Sequence, residues 1–167
     1  MQYLEEDKVC LHYEDEERLL DILSDYPKSK IYLGCDSVRY KKNGDMWAKY
    51  ATIVAVHKNG HNGCKIFYDV SHKVDYDPTG KPKTRMLMEA YKTITMHESL
   101  KGLIDGFDIE IHLDISTDPK HGSYIAASEA AGFVLGMTGI EPKLKPESWA
   151  ASFGADGIGR GFHQRGG

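Results

Sequence analysis

Several things are scarce in this sequence, and each scarcity closes a route. Cysteine is one: Cys10, Cys35 and Cys64 are scattered, odd in number and in no C-x-x-C spacing. A disulfide framework and a thiolate zinc site are therefore excluded, and reduced thiols are expected. Long apolar runs are missing too, none nearing the roughly 20 residues that a membrane span needs. The opening MQYLEEDKVC is acidic where a signal peptide is basic, so a cytoplasmic protein without a membrane segment is expected. Excess positive charge is absent: 21 Lys and Arg against 25 Asp and Glu leave a formal net charge of -4. That argues against coating nucleic acid by bulk attraction, but not against an enzyme that grips a phosphodiester through metal ions. Nor is there a Walker loop, a serine elbow, a dinucleotide fingerprint or an internal repeat.

What is present is alternation. In Lys30 to Ser37, KIYLGCDS, Ile31, Leu33 and Cys35 share one strand face, Tyr32 and Gly34 take the other, and the strand is expected to stop at Asp36. Ile109 to Asp114, IEIHLD, writes the same pattern and again closes on an aspartate. As parallel neighbours, these strands would set Asp36 and Asp114 side by side at the carboxyl edge, where open α/β sheets hold their ligands. Two anions that close repel unless a cation lies between them.

Spacing predicts a helix over Glu14 to Asp25 ahead of the first strand. Asn43-Gly44 then signals a hairpin into a strand over Tyr50 to Val56, and a second turn within Lys58 to Gly63 leads to a strand over Lys65 to Ser71. A polar loop over Asp75 to Lys83 precedes a long helix, Thr84 to Leu103, with apolar residues on two sides. Glu89 heads one of its apolar stripes. After Asp114 come a loop, a helix capped by Ser123 and running to Gly136, and a short strand within Ile140 to Lys145 that Pro142 confines to an edge. A last helix is expected over Trp149 to Asp156. The expected organisation is one domain over residues 1–158, with 1–27 a helical N-terminal extension and 159–167 a flexible glycine-rich tail.

Four acids stand out by position: Asp36, Glu89, Asp114 and Asp156. This order of elements, carrying these four carboxylates, resembles the ribonuclease H-like superfamily. More narrowly, IYLGCDS, EIHLDIS followed by DPK, and KPESWAASFGAD are similar to the motifs of the YkuK-type family of ribonuclease H-like nucleases. The resemblance implies an α/β fold of ribonuclease H-like type. Its mixed five-stranded sheet would begin as an antiparallel meander of three strands and continue helix, strand, helix, strand, helix, with helices on both faces and an extra N-terminal helix. It implies two-metal hydrolysis of a phosphodiester, with Mg²⁺ or Mn²⁺ as cofactor and RNA, DNA or a hybrid as partner, leaving a 5′-phosphate and a 3′-hydroxyl. On that reading Asp36 bridges both ions, Glu89 and Asp114 hold one and Asp156 the other. Gly157, directly after Asp156, departs from the family pattern.

Plainer readings stand beside these. A strand-terminal aspartate is often a turn residue, Glu89 could pair with Arg85 one turn earlier, and Asp-Gly is an ordinary helix end. Lys81, Lys83 and Arg85, in GKPKTR ahead of the Glu89 helix, are the candidate nucleic-acid contacts; Lys41 with Lys42 and Lys143 with Lys145 are read as solvated surface. His163 and His121 are minor candidates near a scissile phosphate, His112 is read as a satisfied strand histidine, and Asp118 as a loop cap. A proofreading exonuclease would need an acid two residues after Asp36, where Val38 stands. A junction resolvase and a non-catalytic module that binds nucleic acid or protein stay open as alternatives, as does the oligomeric state.

Overall fold

Asn43 and Gly44 both take positive φ, 51° and 84°, the two-residue turn whose twist matches that of the strands it joins. It links β1 (Lys30–Lys42) to β2 (Asp45–His57), which pair without a break from Lys42 opposite Asp45 to Lys30 opposite His57. The computed structural model describes residues 7–77, 83–116, 118–120, 124–145, 147–148 and 150. A short 3-10 turn, Lys58–Gly60, leads on to β3 (Cys64–Val74), antiparallel to β2. β4 (Asp108–Ser116) lies parallel to β1 on its other side, and β5 (Lys143–Lys145) lies parallel to β4 at the far edge. The strand order is β3-β2-β1-β4-β5.

One boundary differs from the sequence reading in a way that matters. The sequence ends the first strand at Asp36, but β1 runs on to Lys42. What stops near Asp36 is the parallel ladder: its last rung is Cys35 opposite Leu113. The polar residues after Cys35 mark the loss of one neighbour, while the hairpin keeps β1 extended against the other. β4 likewise continues past Asp114 to Ser116.

Helices α1 (Tyr13–Asp25), α2 (Lys83–Ile104) and α3 (Tyr124–Thr138) contribute to one apolar core with one sheet face. Leu19, Ile22 and Leu23 of α1 join Ile31, Leu33, Val54, Val56, Ile111, Leu113 and Ile115 there, at roughly 1.5–3 kcal/mol for each large side chain taken from water. α2 is buried on two sides, as its two apolar stripes require, and stacks Tyr91 on Phe133 of α3 with ring centres 6.5 Å apart. The opposite sheet face carries a smaller cluster of Ala51, Ile53 and Ala55 with Tyr32, Ile66, Tyr68 and Val70. There the helical residue Ala150 donates its amide to His112 Nδ1 at 3.2 Å; the remainder of the last expected helix, and the tail, lie outside the described residues. No described helix is long and apolar enough to cross a membrane.

The hairpin gives a direct check. Gly44 has no atom within 4 Å of where a Cβ would stand, so Gly44→Ala meets only the backbone strain of left-handed φ and is expected to cost about 1–2 kcal/mol in a urea titration. A loss near zero would mean that this turn does not set the register of β1.

Candidate active site

Past the Cys35–Leu113 rung the next residues on the two parallel strands are Asp36 and Asp114. β1 and β4 thus present two carboxylates from adjacent chains where their ladder ends. Glu89 comes in from α2, where it is 1% exposed although charged by nature. Ser37 Oγ donates to Glu89 Oε1 at 2.8 Å, and the Ser37 amide donates to Asp36 Oδ1 at 2.8 Å. One serine therefore ties the strand carboxylate and the helix carboxylate together.

The height of Glu89 along α2 is fixed from its N-terminal end. Asp77 accepts from the amides of Thr84 and Arg85, at 3.3 and 2.8 Å, satisfying donors that the first turn would leave open. Asp77 is itself held by β1: Arg39 Nη2 donates to its carbonyl at 3.0 Å, and Arg39 Nε lies 2.6 Å from Asp75 Oδ2. One strand thereby supplies Asp36, binds Glu89 through Ser37, and anchors the helix that carries Glu89.

Electrostatics follow from this packing. Burial, and then repulsion from Asp114, push the Asp36 carboxyl up from 3.8 to about 6. Burial also pushes Glu89 well above its usual range, with the Asp36 charge adding to it and the Ser37 hydrogen bond opposing. Glu89 Oε2 is buried without a hydrogen-bond donor. On the open side, Lys145 Nζ lies 2.8 Å from Asp114 Oδ1. Its ammonium is held protonated first by the hydrogen bond to Asp114, with the Asp114, Asp36 and Glu89 charges adding to it against partial burial.

Of the four acids picked from sequence, three converge, and Asp156 lies outside the described residues. Among the basic candidates, Lys81 also lies outside them. Lys83 Nζ sits 3.2 Å from Glu129 Oε2 of α3, both exposed. Arg85 is half-buried with Nε unpartnered, and no ion pair joins it to Glu89 among the described residues. His112 is a satisfied strand histidine: its Nδ1 accepts from Ala150, so its Nε2–H donates to Glu110 Oε2 at 2.9 Å. Asp118 Oδ1 accepts from the Lys120 amide at 3.0 Å, a local loop turn. His121 and His163 lie outside the described residues.

Two participants escaped the sequence reading. Ser37 looks like punctuation, and Lys145 looks like solvated charge. The signal for Lys145 is topological: β5 runs parallel to β4 with Lys145 level with Ser116, so its ammonium reaches back to the same carboxyl edge as Asp114.

Comparison with known proteins agrees with this geometry. A family model described as Ribonuclease H-like matches residues 17–160. The chain belongs to the ribonuclease H-like family. The matched span contains all the YkuK-type motifs and all three converging carboxylates of this ribonuclease H-like chain. No curated protein and no solved structure matches it.

The donor set suits a hard divalent cation, being all oxygen with one buried carboxylate oxygen unclaimed. In the present arrangement, no group of three or more His, Cys, Asp or Glu among the described residues is disposed to hold a metal ion. Lys145 at Asp114 and Ser37 at Glu89 occupy oxygens that a cation would use.

Stability should report this cluster. Folded Asp36 keeps its proton up to about 6, whereas an unfolded aspartate loses it near 3.8. The folded chain binds more protons between those values, so stability falls as pH rises through them. Without metal, the parent is expected to lose up to about 3 kcal/mol from this group between about pH 4 and pH 7, a loss that Asp36→Asn removes. Mn²⁺ should raise the melting temperature of the parent near neutral pH more than that of the variant. Parallel melting profiles for the two proteins would rule out a strained carboxylate at this position.

Proposed function

We propose that this ribonuclease H-like chain is a divalent-metal-dependent nuclease that hydrolyses phosphodiester bonds of RNA, DNA or a hybrid. The observation that carries the reading is the meeting of Asp36, Glu89 and Asp114, drawn from β1, α2 and β4, with Glu89 Oε2 buried and without a donor. Three acids far apart along the chain, two of them with raised carboxyl pKa values, are poorly explained as turn residues or surface charge.

Asp36, Glu89 and Asp114 would hold Mg²⁺ or Mn²⁺, with Asp156 the expected fourth ligand. When bound, such ions supply a water of lowered pKa and charge stabilisation at the leaving oxygen of an in-line displacement. The chain's own residues do the positioning. Ser37 fixes the rotamer of Glu89 and, through its amide, the orientation of Asp36. Apolar Cys35, Leu113 and Ile115, all buried beneath the aspartates, keep the strand ends rigid and water out from below. Lys145 offers a cationic donor at the edge of the cluster, on the side open to solvent, where a phosphate oxygen would approach. Lys81, Lys83 and Arg85 remain the proposed backbone contacts on the Glu89 side.

A second reading, a ribonuclease H-like module that binds nucleic acid or protein without cleaving it, is favoured by Lys145, which already neutralises part of the Asp114 charge. The two separate cleanly by experiment. With labelled RNA, DNA and hybrid substrates, Mg²⁺- or Mn²⁺-dependent cleavage is expected from the parent and none from Asp36→Asn. Equal activity in both would place the reaction elsewhere. Lys145→Gln frees Asp114 Oδ1, so calorimetry should show Mn²⁺ binding about tenfold tighter than in the parent, the loss of one competing cation. No Mn²⁺ binding in either protein would support the module.

A further inference from the structure

The strand that carries Asp36 does not end at the carboxylates. Beyond the last parallel rung, β1 extends to Lys42 paired with β2. Alternation places Val38, Tyr40 and Lys42 on the side of β1 that Asp36 occupies. Register sets Lys49 beside Val38, Trp47 beside Tyr40, and His72 of β3 beside Lys49. One sheet face therefore runs without interruption from the carboxylate cluster on to an aromatic and basic surface.

The details of that surface fit bases rather than a protein core. Val38 is 52% exposed, His72 is exposed, and Tyr40, Trp47 and Lys49 are half-buried. Tyr40 Oη lies 2.8 Å from His72 Nδ1, with the rings edge-on and their centres 5.7 Å apart. Lys42 Nζ stands over the Trp47 ring at 5.1 Å. Among the described residues of β1 to β3 beyond Asp36, register and alternation place one acid, Asp45, on the side that carries Lys42, Lys49 and His72, in a chain whose net charge is -4. The other end of the same face is different: Tyr32, Ile53, Ile66 and Tyr68 form an apolar cluster, and His112 binds the Ala150 amide. Lys30 also stands over the Tyr32 ring there, at 5.5 Å, but its charge is taken by Glu110 and Asp108 at 2.9 and 3.6 Å.

We propose that this surface binds single-stranded nucleic acid, with bases against Trp47, Tyr40 and His72 and phosphates against Lys42 and Lys49, leading the strand to or from the carboxylate cluster. Rings set in a sheet offer their faces to unpaired bases, as sheet platforms for single strands do; a duplex hides its bases and would meet only the lysines. Strand rise puts Tyr40 about 13 Å from Asp36, so a single strand held at one would reach the other. The inference rests on the nuclease reading, which makes the carboxylate cluster one end of the path.

The test uses the full chain with Asp36→Asn, so that bound strands stay intact, in EDTA. Labelled single strands of roughly ten nucleotides, one of RNA and one of DNA, and a blunt duplex of the same length are titrated by fluorescence anisotropy. The expected result is that single strands bind more tightly than the duplex and quench tryptophan emission. Trp47→Leu combined with Lys49→Gln should weaken single-strand binding about tenfold or more and abolish most of the quench. The tighter of the RNA and DNA arms identifies the sugar. If Trp47→Leu lowers the melting temperature, Lys42→Gln with Lys49→Gln replaces it, and a several-fold loss is still expected. Unchanged single-strand affinity in these variants, or an equal loss for the duplex, overturns the proposal. Cleavage by the parent is assayed alongside: a parent that cleaves, with variants that bind normally, sinks the platform alone. A parent that cleaves nothing, with variants that lose binding, sinks the nuclease reading and keeps the surface.

Discussion

Bringing Asp36, Glu89 and Asp114 into one notch sets three carboxylates against each other where water is scarce, and the rest of the fold has to offset that repulsion. It does so partly with mass: the two aspartates sit on strands whose inward residues, Cys35, Leu113 and Ile115, are wholly buried, and Glu89 sits on a helix clamped between the sheet and α3. It does so partly with local donors. Ser37 gives its hydroxyl to Glu89 and its amide to Asp36, and Lys145 gives its ammonium to Asp114. Removing the hydrophobic support would let the acids separate; removing the donors would leave buried charge uncompensated.

The split between β1 and β4 is the geometric origin of the site. Parallel strands that stayed paired would bury their backbone polar groups and leave no concave edge. Here the parallel ladder stops at Cys35 and Leu113 while the hairpin with β2 carries β1 onward. The same departure does two things: it opens the notch that the carboxylates fill, and it projects the sheet face that bears Tyr40, Trp47 and His72. The Arg39, Asp75 and Asp77 network on the opposite side of β1 fixes the start of α2 against that projection. The position of Glu89 and the reach of the hairpin are thus mechanically linked through one strand.

The parts of this fold that were legible in sequence are those governed by local periodicity. Period-two alternation located the buried rows of β1 and β4, Asn43-Gly44 located the hairpin, and the two apolar stripes of α2 made Glu89 conspicuous as an acid in an apolar position. What was not legible depends on partners. The end of a strand is set by its neighbours, so Asp36 read as a terminus when it marks only the loss of β4. Ser37 read as a stop because its role is a contact with a residue far along the chain, Glu89. Lys145 read as surface because a three-residue edge strand carries too little pattern to reveal that it runs parallel beside Asp114. Lys83, chosen for its proximity in sequence to Glu89, stands in an exposed ion pair with Glu129 of α3, a partner that local pattern does not reveal.

On the proposed metal-dependent reading, protons and divalent cations compete for the same oxygens. Three carboxylates offset by one ammonium leave an excess of negative charge in a buried place, and that excess has two outlets. Below about 6, Asp36 takes a proton, and Glu89 is pushed well above its usual range by burial and by the Asp36 charge. At higher pH the proton leaves Asp36, the repulsion returns, and a hard cation becomes the cheaper way to relieve it. Lys145 sets the scale of that competition, since its single charge already relieves Asp114 and an incoming divalent ion gains only the difference. On the proposed reading, cation affinity therefore rises with pH and is tempered by Lys145, held at the carboxyl edge by a three-residue strand whose Leu144 packs against the core.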